Sequence, residues 1–177
     1  MKVELEPLIE LSRDEFPHLE AVRSNQFRLT DLEKEDLKKA IEIHISDIGF
    51  EDSCALFGGY ALKVDGRYEL FPQCCGMLSE IIDWEKLLQP DFEPFYLSEC
   101  HPAPKFERIE NEVVIECDST FEAFVPETAN HISVDYDSLS QAVKNSSSVL
   151  EQVAKKMDEL SKDFGRESLS ELMIWDE

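Results

Sequence analysis

The sequence predicts an α+β fold in which an antiparallel sheet of about five to six strands, built from hairpins, packs against three helices. Strand-like segments rich in β-branched and aromatic residues follow one another along the chain and are separated by short turn signals. Segments with helical spacing of apolar residues lie before, between and after them, without the strand–helix alternation of a parallel sheet. The length of 177 residues fits one domain spanning residues 1–177.

The first third of the chain predicts a strand and an amphipathic helix. Apolar residues between positions 3 and 11 indicate the first strand. An N-terminal helix over residues 31–48 is predicted because apolar side chains recur at intervals of three and four from Leu37 onward. Thr30 and Glu33 have the spacing of a capping box, and Gly49 stands where a helix commonly ends.

The middle of the chain predicts two hairpins separated by a short helix. The first hairpin turns at Asp65-Gly66, the strongest short signal for a two-residue turn. A short helix is expected over residues 79–89, because Ser79 can cap it and Pro90 cannot continue it. The second hairpin turns at Glu110-Asn111. Strands are predicted at residues 60–64, 67–71, 95–97, 106–109, 112–117 and 121–125.

A long C-terminal helix is predicted over residues 136–164, with Asp135 at its N-cap and Gly165 at its end. Its apolar positions alternate in steps of four and three, which is a heptad pattern. The seam consists of Leu139, Val143, Ser146, Leu150, Val153, Met157, Leu160 and Phe164. Such a seam either packs against the sheet of its own chain or joins two chains, so a homodimer through residues 136–164 stays open.

The composition is strongly acidic: 39 Asp and Glu face 17 Lys and Arg, giving a formal charge of −22. A negative field of this size opposes binding to nucleic acid or to an anionic membrane, and it attracts a basic protein or peptide. We find no run of about 18 apolar residues, and the first residues do not resemble a signal peptide. The sequence therefore predicts a cytoplasmic protein.

The five cysteines are predicted to be free thiols, because their number is odd and no export signal precedes them. Cys74, Cys75, Cys100 and His101 are soft metal ligands, but they form two adjacent dyads. Neighbouring residues on a strand point to opposite faces, so we predict packed cysteines with no metal site and no cofactor. Whether these four residues ever bind a metal is left open by the sequence.

A catalytic role is not predicted for any residue, and the chain is expected to be a non-enzyme. Its glycines form no phosphate-binding loop. The alternative is an enzyme without a recognisable motif that uses the Cys75 thiol, since Cys75-Gly76 precedes a predicted helix and His101 or His131 could act as the base. The sequence gives no reason to place either histidine beside Cys75.

The acidic surface is the feature that departs most from an ordinary domain. Residues 79–99 and residues 106–122 each contain six acids and one base. The predicted partner-binding residues belong to the second stretch: Glu107, Glu110, Glu112, Glu116, Asp118 and Glu122. Exposed aromatic residues such as Tyr96 or Trp175 would anchor the contact.

These observations predict an acidic protein-binding module that captures a basic partner. A concrete version is a bacterial immunity protein that inhibits a toxin, because many toxins that act on nucleic acid are basic. The alternatives are the Cys75 enzyme and a structural subunit that dimerises through the long helix. The acidity can also serve solubility alone.

Overall fold

The computed structural model describes residues 1–46, 49–97, 100–118, 122–127 and 131–176. Within these residues the fold is α+β, with two antiparallel sheets and four α-helices. The first sheet has the strand order β2-β3-β1-β4-β5 and the second has the order β6-β7-β8-β9. The α+β class and the antiparallel hairpins are confirmed, but the prediction of one sheet with five to six strands is wrong. Strands of three residues such as Ala21–Arg23 and Gln26–Arg28 are too short to be recognised from the sequence pattern. Phe95–Tyr96 lies between the two predicted hairpins and is the first strand of the second sheet.

The first sheet is organised around β1, which is hydrogen-bonded on both sides. Its five strands are β1 (Val3–Glu10), β2 (Ala21–Arg23), β3 (Gln26–Arg28), β4 (Gly58–Val64) and β5 (Arg67–Leu70). The predicted turn between β4 and β5 is confirmed: φ is 49° at Asp65 and 82° at Gly66. Both central residues of such a turn need positive φ, which Gly adopts most readily and Asp tolerates better than most residues.

The second sheet is formed by β6 (Phe95–Tyr96), β7 (Lys105–Ile109), β8 (Glu112–Glu116) and β9 (His131–Asp135). Its middle hairpin turns at Glu110, whose φ is 55°, as the sequence predicts. A strand over residues 121–125 is not formed: residue 121 lies outside the described residues, and residues 122–125 belong to no strand. Instead, the side chain of Gln73 binds both the amide and the carbonyl of Val125.

The helices are shorter than the sequence predicts. They are α1 (Lys34–Ile45), α2 (Ile81–Lys86), α3 (Tyr136–Asp158) and α4 (Ser170–Met173). The predicted end of the first helix at 47–48 lies outside the described residues. Its N-cap is Glu33 rather than Thr30, and Glu33 forms the capping box with Asp36.

Helix α3 begins where predicted, because the Asp135 carboxylate accepts the Ser138 amide at 2.8 Å. The expected continuation to residue 164 is wrong. The helix ends at Asp158, and a separate 3-10 turn, Ser161–Phe164, precedes Gly165. Asp158 accepts hydrogen bonds from the amides of Leu169 and Ser170, each at 3.0 Å, and this draws the returning chain against the helix end.

A single large hydrophobic cluster includes residues from both sheets and from all four helices. Trp84 of α2 packs against the second sheet: its ring meets the Phe106 ring edge-on, with the ring centres 5.0 Å apart. The α3 seam is buried in the same cluster, with Leu139, Val143 and Leu150 fully covered. The heptad spacing is thus accounted for by packing within one chain, and the homodimer stays a prediction.

Candidate functional site: an acidic sheet face and a thiol–imidazole cluster

The second sheet has an inner face in the core and an outer face toward solvent. Side chains alternate between the faces, and directly paired residues of neighbouring strands share one face. The buried residues Phe106, Val113 and Ile115 identify the inner face. The outer face, named here the acidic face, carries Tyr96, Lys105, Glu107, Ile109, Glu112, Val114, Glu116, His131, Ser133 and Asp135.

The acidic face holds four carboxylates against one lysine. Lys105 forms ion pairs with Glu107 and with Glu116, and these contacts raise the pKa of Lys105, chiefly through its hydrogen bond with Glu107. Glu112 accepts a hydrogen bond from the Ser133 hydroxyl at 2.8 Å. It also lies directly opposite Asp135 in the register. The face therefore keeps a net negative charge after its internal pairs are formed.

Two large apolar side chains on this face are exposed to solvent. Tyr96 is 62% exposed and Ile109 is 55% exposed. They lie at opposite ends of β7: Tyr96 pairs with Lys105, its first residue, and Ile109 is its last residue and pairs with Glu112. Exposed apolar groups beside charges that can steer a partner are typical of protein-binding surfaces.

Arg108, the one base of residues 106–122, does not lie on the acidic face. Its guanidinium is 5.2 Å from the ring centre of Phe92 and 5.3 Å from that of Tyr136. It also donates to the carbonyls of Leu87 and Gln89. The positive charge of Arg108 therefore does not offset the carboxylates of the acidic face, although the sequence count includes it.

A cleft of ≈ 580 Å³ adjoins the edge strand β6 and shares Tyr96 with the acidic face. Its walls combine aromatic rings with carboxylates: Phe92, Phe95, Tyr96, Asp83, Asp91 and Glu93. Lys86 lies in the cleft as well, paired with Asp83 and 5.8 Å from the centre of the Phe95 ring. The cleft thus places three acids of residues 79–99 beside Tyr96 of the second sheet.

The structure distributes the six predicted partner-binding residues over four places. Glu107, Glu112 and Glu116 lie on the acidic face, and Glu110 lies in the turn beside it. Asp118 is exposed beyond the end of β8. Glu122 belongs to a different cluster, described next. Trp175, expected as an exposed anchor, packs partly against the core, whereas Tyr96 is exposed as expected.

Cys74 and Cys75 are the central residues of a tight turn. The turn runs from Gln73 to Gly76 and is closed by the Gly76 amide, which donates to the Gln73 carbonyl at 3.3 Å. Cys75 has φ of 66°, in the left-handed region. This conformation brings both sulfurs to one side, with the Sγ atoms 3.3 Å apart. The expectation that adjacent cysteines point apart assumed a strand and is wrong for this turn.

His101 is held beside this turn by backbone and side-chain contacts. Its amide donates to the Cys74 carbonyl at 3.1 Å, and the Cys74 amide donates to the His101 carbonyl at 3.2 Å. Nε2 of His101 is 3.6 Å from Cys75 Sγ, and Nδ1 is 2.9 Å from Glu122 Oε2. A carboxylate only accepts hydrogen bonds, so Nδ1 carries a proton, and in the neutral ring the Nε2 lone pair faces the thiol.

The charges in this cluster affect one another. The hydrogen bond with Glu122, followed by that with Cys75, raises the pKa of His101. The hydrogen bond with Cys75 raises the pKa of Cys74. Cys74 and Cys75 are exposed, and the His101 side chain is 56% exposed, so the cluster is open to solvent.

Cys100, the fourth soft ligand considered from sequence, is not part of the cluster. Its thiol is buried and directed at the carbonyls of Leu97 and Pro102. Burial raises its pKa to about 12. From the sequence, His101 was one of two possible bases for Cys75. Its contacts with Cys75 and Glu122 could not be predicted, because the pairing of residues 74 and 101 is a long-range contact without a local signal.

No protein-family model, curated protein sequence or solved structure matches this chain. In the described residues, no helix has both the length and the apolar character needed to cross a membrane.

Proposed function

We propose that this protein is an acidic binding module that captures a basic protein through the acidic face of its second sheet. The observation that carries the proposal is the combination of net negative charge and exposed apolar groups on one rigid, hydrogen-bonded surface. Glu107, Glu112 and Glu116 supply charge, and Tyr96 and Ile109 supply apolar area. Binding energy usually comes from such aromatic anchors, while surrounding charges set orientation and association rate.

The cleft beside β6 is suited to one long basic side chain of the partner. Guanidinium groups stack on aromatic rings and form paired hydrogen bonds with carboxylates. Phe92, Phe95 and Tyr96 offer the rings, and Asp91 and Glu93 offer the carboxylates. An arginine of the partner would thus insert between the edge strand and the end of α2, displacing Lys86 from its position over Phe95.

The net charge of −22 supports rapid capture. A field of this sign raises the encounter rate with a basic partner, and the effect weakens as salt shortens the Debye length from about 10 Å at 0.1 M to about 3 Å at 1 M. Fast capture is required of an inhibitor that must neutralise a toxin before it acts. A bacterial immunity protein that occludes a basic, nucleic-acid-acting toxin is the concrete form of this proposal.

An enzyme that uses the Cys75 thiol is the second candidate, favoured by the contact of Cys75 with His101. A thiol nucleophile needs a base within reach and a cleft that positions the substrate. The base is present at 3.6 Å, but both side chains lie on open surface. The geometry therefore supports the binding module better.

The proposal is tested by locating the contact and then changing its charge. A photo-crosslinking residue replaces Val114 at the centre of the acidic face, and another replaces Glu42 on α1 as a control, in cells that make the protein. We expect a basic protein to be captured from position 114 and not from position 42. Capture of the same protein from both positions would indicate non-specific attraction.

Association kinetics with the captured protein then test the mechanism. The triple variant Glu107→Gln, Glu112→Gln, Glu116→Gln should associate about 3- to 10-fold more slowly at low salt, with a smaller change at high salt. The matched control changes three exposed acids on helices: Glu35→Gln, Glu42→Gln and Glu151→Gln. Equal slowing by both triple variants would show that only the total charge of the protein affects association. No slowing by either variant would refute capture by the acidic face.

A further inference from the structure

Three potential metal ligands converge at the turn formed by residues 73–76. The Sγ atoms of Cys74 and Cys75 and a ring nitrogen of His101 all lie within 4.8 Å of one another. The backbone bridge between Cys74 and His101 fixes the two segments, so the ligands do not depend on flexible side chains alone. This cluster is separate from the residues assigned to partner capture on the acidic face.

The spacing of the three ligands is near that required by a tetrahedral ion. With Zn–S bonds of about 2.3 Å, two sulfurs on a tetrahedral ion are about 3.8 Å apart. With a Zn–N bond of about 2.05 Å, the sulfur and nitrogen ligands are about 3.6 Å apart. The observed Sγ–Sγ distance is 3.3 Å, and the distance from Cys75 Sγ to His101 Nε2 is 3.6 Å. The third pair, Cys74 Sγ and the His101 ring, lies within 4.8 Å. The exposed side chains would rotate to bring all three ligands to the distances of one ion.

Glu122 completes the arrangement as an orienting residue. Histidines that bind metal usually donate their other ring N–H to a carboxylate, which fixes the tautomer and the ring orientation. Nδ1 of His101 contacts Glu122 Oε2 at 2.9 Å, which leaves Nε2 directed at Cys75. Because the partner of Nδ1 is an acceptor, the neutral ring presents at Nε2 the lone pair that a metal requires.

We propose that Cys74, Cys75 and His101 bind a Zn²⁺ ion, with Glu122 positioning the imidazole of His101. Two thiolates and one imidazole are the donors that Zn²⁺ prefers, and they disfavour Mg²⁺ and Ca²⁺, which require oxygen. Three protein ligands leave the fourth coordination position to water. The ion would fasten the turn of residues 73–76 to the segment at His101, at the end of the first hairpin.

The first experiment uses Co²⁺ as a spectroscopic substitute for Zn²⁺ with the reduced full chain. We expect one equivalent of Co²⁺ to produce thiolate-to-cobalt charge transfer and tetrahedral visible bands, and Zn²⁺ to abolish both. Excess Mg²⁺ should leave the bands unchanged. Co²⁺ bands without thiolate character, or displacement by Mg²⁺, would show cation binding to the acidic surface only and would overturn the site.

Variants with a matched cysteine control locate the ligands. Cys74→Ser and Cys75→Ser should each abolish the charge-transfer bands, whereas Cys54→Ser should retain them. Glu122→Gln should weaken Zn²⁺ binding about 10- to 100-fold, as measured by competition with a chromophoric chelator. Unchanged affinity in both cysteine variants, or equal loss in Cys54→Ser, would refute the assignment.

A measurement on the wild-type chain avoids any effect of substitution on folding. Zn²⁺ should protect Cys74 and Cys75 from alkylation, as read by peptide mass spectrometry, and should leave the labelling rate of Cys54 unchanged. Formation of a Cys74–Cys75 disulfide in air should prevent Zn²⁺ binding until reductant is added. Equal labelling of Cys74 and Cys75 with and without Zn²⁺ would contradict the proposal.

Discussion

Gly76→Ala is the substitution that tests most directly how the turn at Cys74 and Cys75 is held. A Cβ at residue 76 would lie 2.6 Å from the carbonyl oxygen of Gly58 and 3.1 Å from Glu80 Oε1. An ordinary carbon–oxygen contact is about 3.3 Å or longer, so the turn must move by roughly 0.7 Å. The carbonyl belongs to β4, and the Gly58 amide donates to the Gly76 carbonyl at 2.8 Å, so neither segment moves alone.

The expected loss is about 1–3 kcal/mol in the free energy of unfolding, the usual range for overpacking. Urea denaturation at neutral pH measures it. Gly66→Ala is the comparison, because Gly66 has φ of +82° with no atom within 4 Å of an added Cβ. Its cost of about 1–2 kcal/mol comes from left-handed backbone strain alone.

Asparagine separates the two causes, because it tolerates the left-handed region better than alanine. Gly66→Asn should recover part of the stability that Gly66→Ala loses, whereas Gly76→Asn should recover none. Co²⁺ affinity should fall in Gly76→Ala and stay unchanged in Gly66→Ala. Stability of Gly76→Ala within about 0.5 kcal/mol of the wild type, or rescue by asparagine at residue 76, would refute the steric reasoning.

Two further predictions concern ionisable groups. Burial alone would raise the pKa of Asp158, but hydrogen bonds from Ser170, Ser168 and the Leu169 amide outweigh it and lower the pKa. Its stabilising contribution is therefore complete above the unfolded-state pKa of about 3.9 and is lost as pH falls through the lower folded-state value. Asp158→Asn should cost about 1 kcal/mol near neutral pH in urea denaturation, and its difference from the wild type should shrink in acid; a constant difference would contradict the assignment. Burial raises the pKa of Cys100 to about 12 and that of Cys117 to about 11, so at pH of about 8 iodoacetamide should label the exposed Cys74 and Cys75 long before these two. Labelling of Cys100 at the same rate in the native protein would show that its thiol is not enclosed.

Local signals predicted the elements that depend on a few neighbouring residues. Asp65-Gly66 forms the expected turn because these two residue types accept the positive φ that both turn positions need. Asp135 caps α3 through a hydrogen bond from the Ser138 amide, which lies only three residues further along the chain. The seam of α3 was recognised because its apolar residues recur at the helical spacing, which indicates the buried face of a helix.

Long-range contacts account for what the sequence did not predict. The division into two sheets depends on which strands find each other, and strands of three residues such as Ala21–Arg23 and Gln26–Arg28 have too little pattern to detect. The thiol–imidazole cluster depends on the bridge between Cys74 and His101 and on left-handed φ at Cys75. Non-glycine residues are uncommon in that region, so a strand was the reasonable expectation for this segment.

The placement of the acids bears on whether the charge serves solubility alone or the partner binding that we propose. Several acids have structural roles: Asp36 completes a capping box, Asp135 caps α3, and Asp158 anchors the returning chain. Glu112 lies directly opposite Asp135 on the neighbouring strand, and like charges in that position are destabilising.

Solubility alone would be served equally by acids on helix surfaces, such as Glu35 and Glu42, where no such cross-strand repulsion arises. An arrangement that weakens the fold is expected where function requires the charge. Glu107 and Glu116 also pair with Lys105, but such partly exposed ion pairs contribute little to stability. The acidic-face triple variant should therefore be about as stable as the wild type, even as it associates more slowly. A clear loss of stability in that variant would mean that these carboxylates serve the fold rather than a partner.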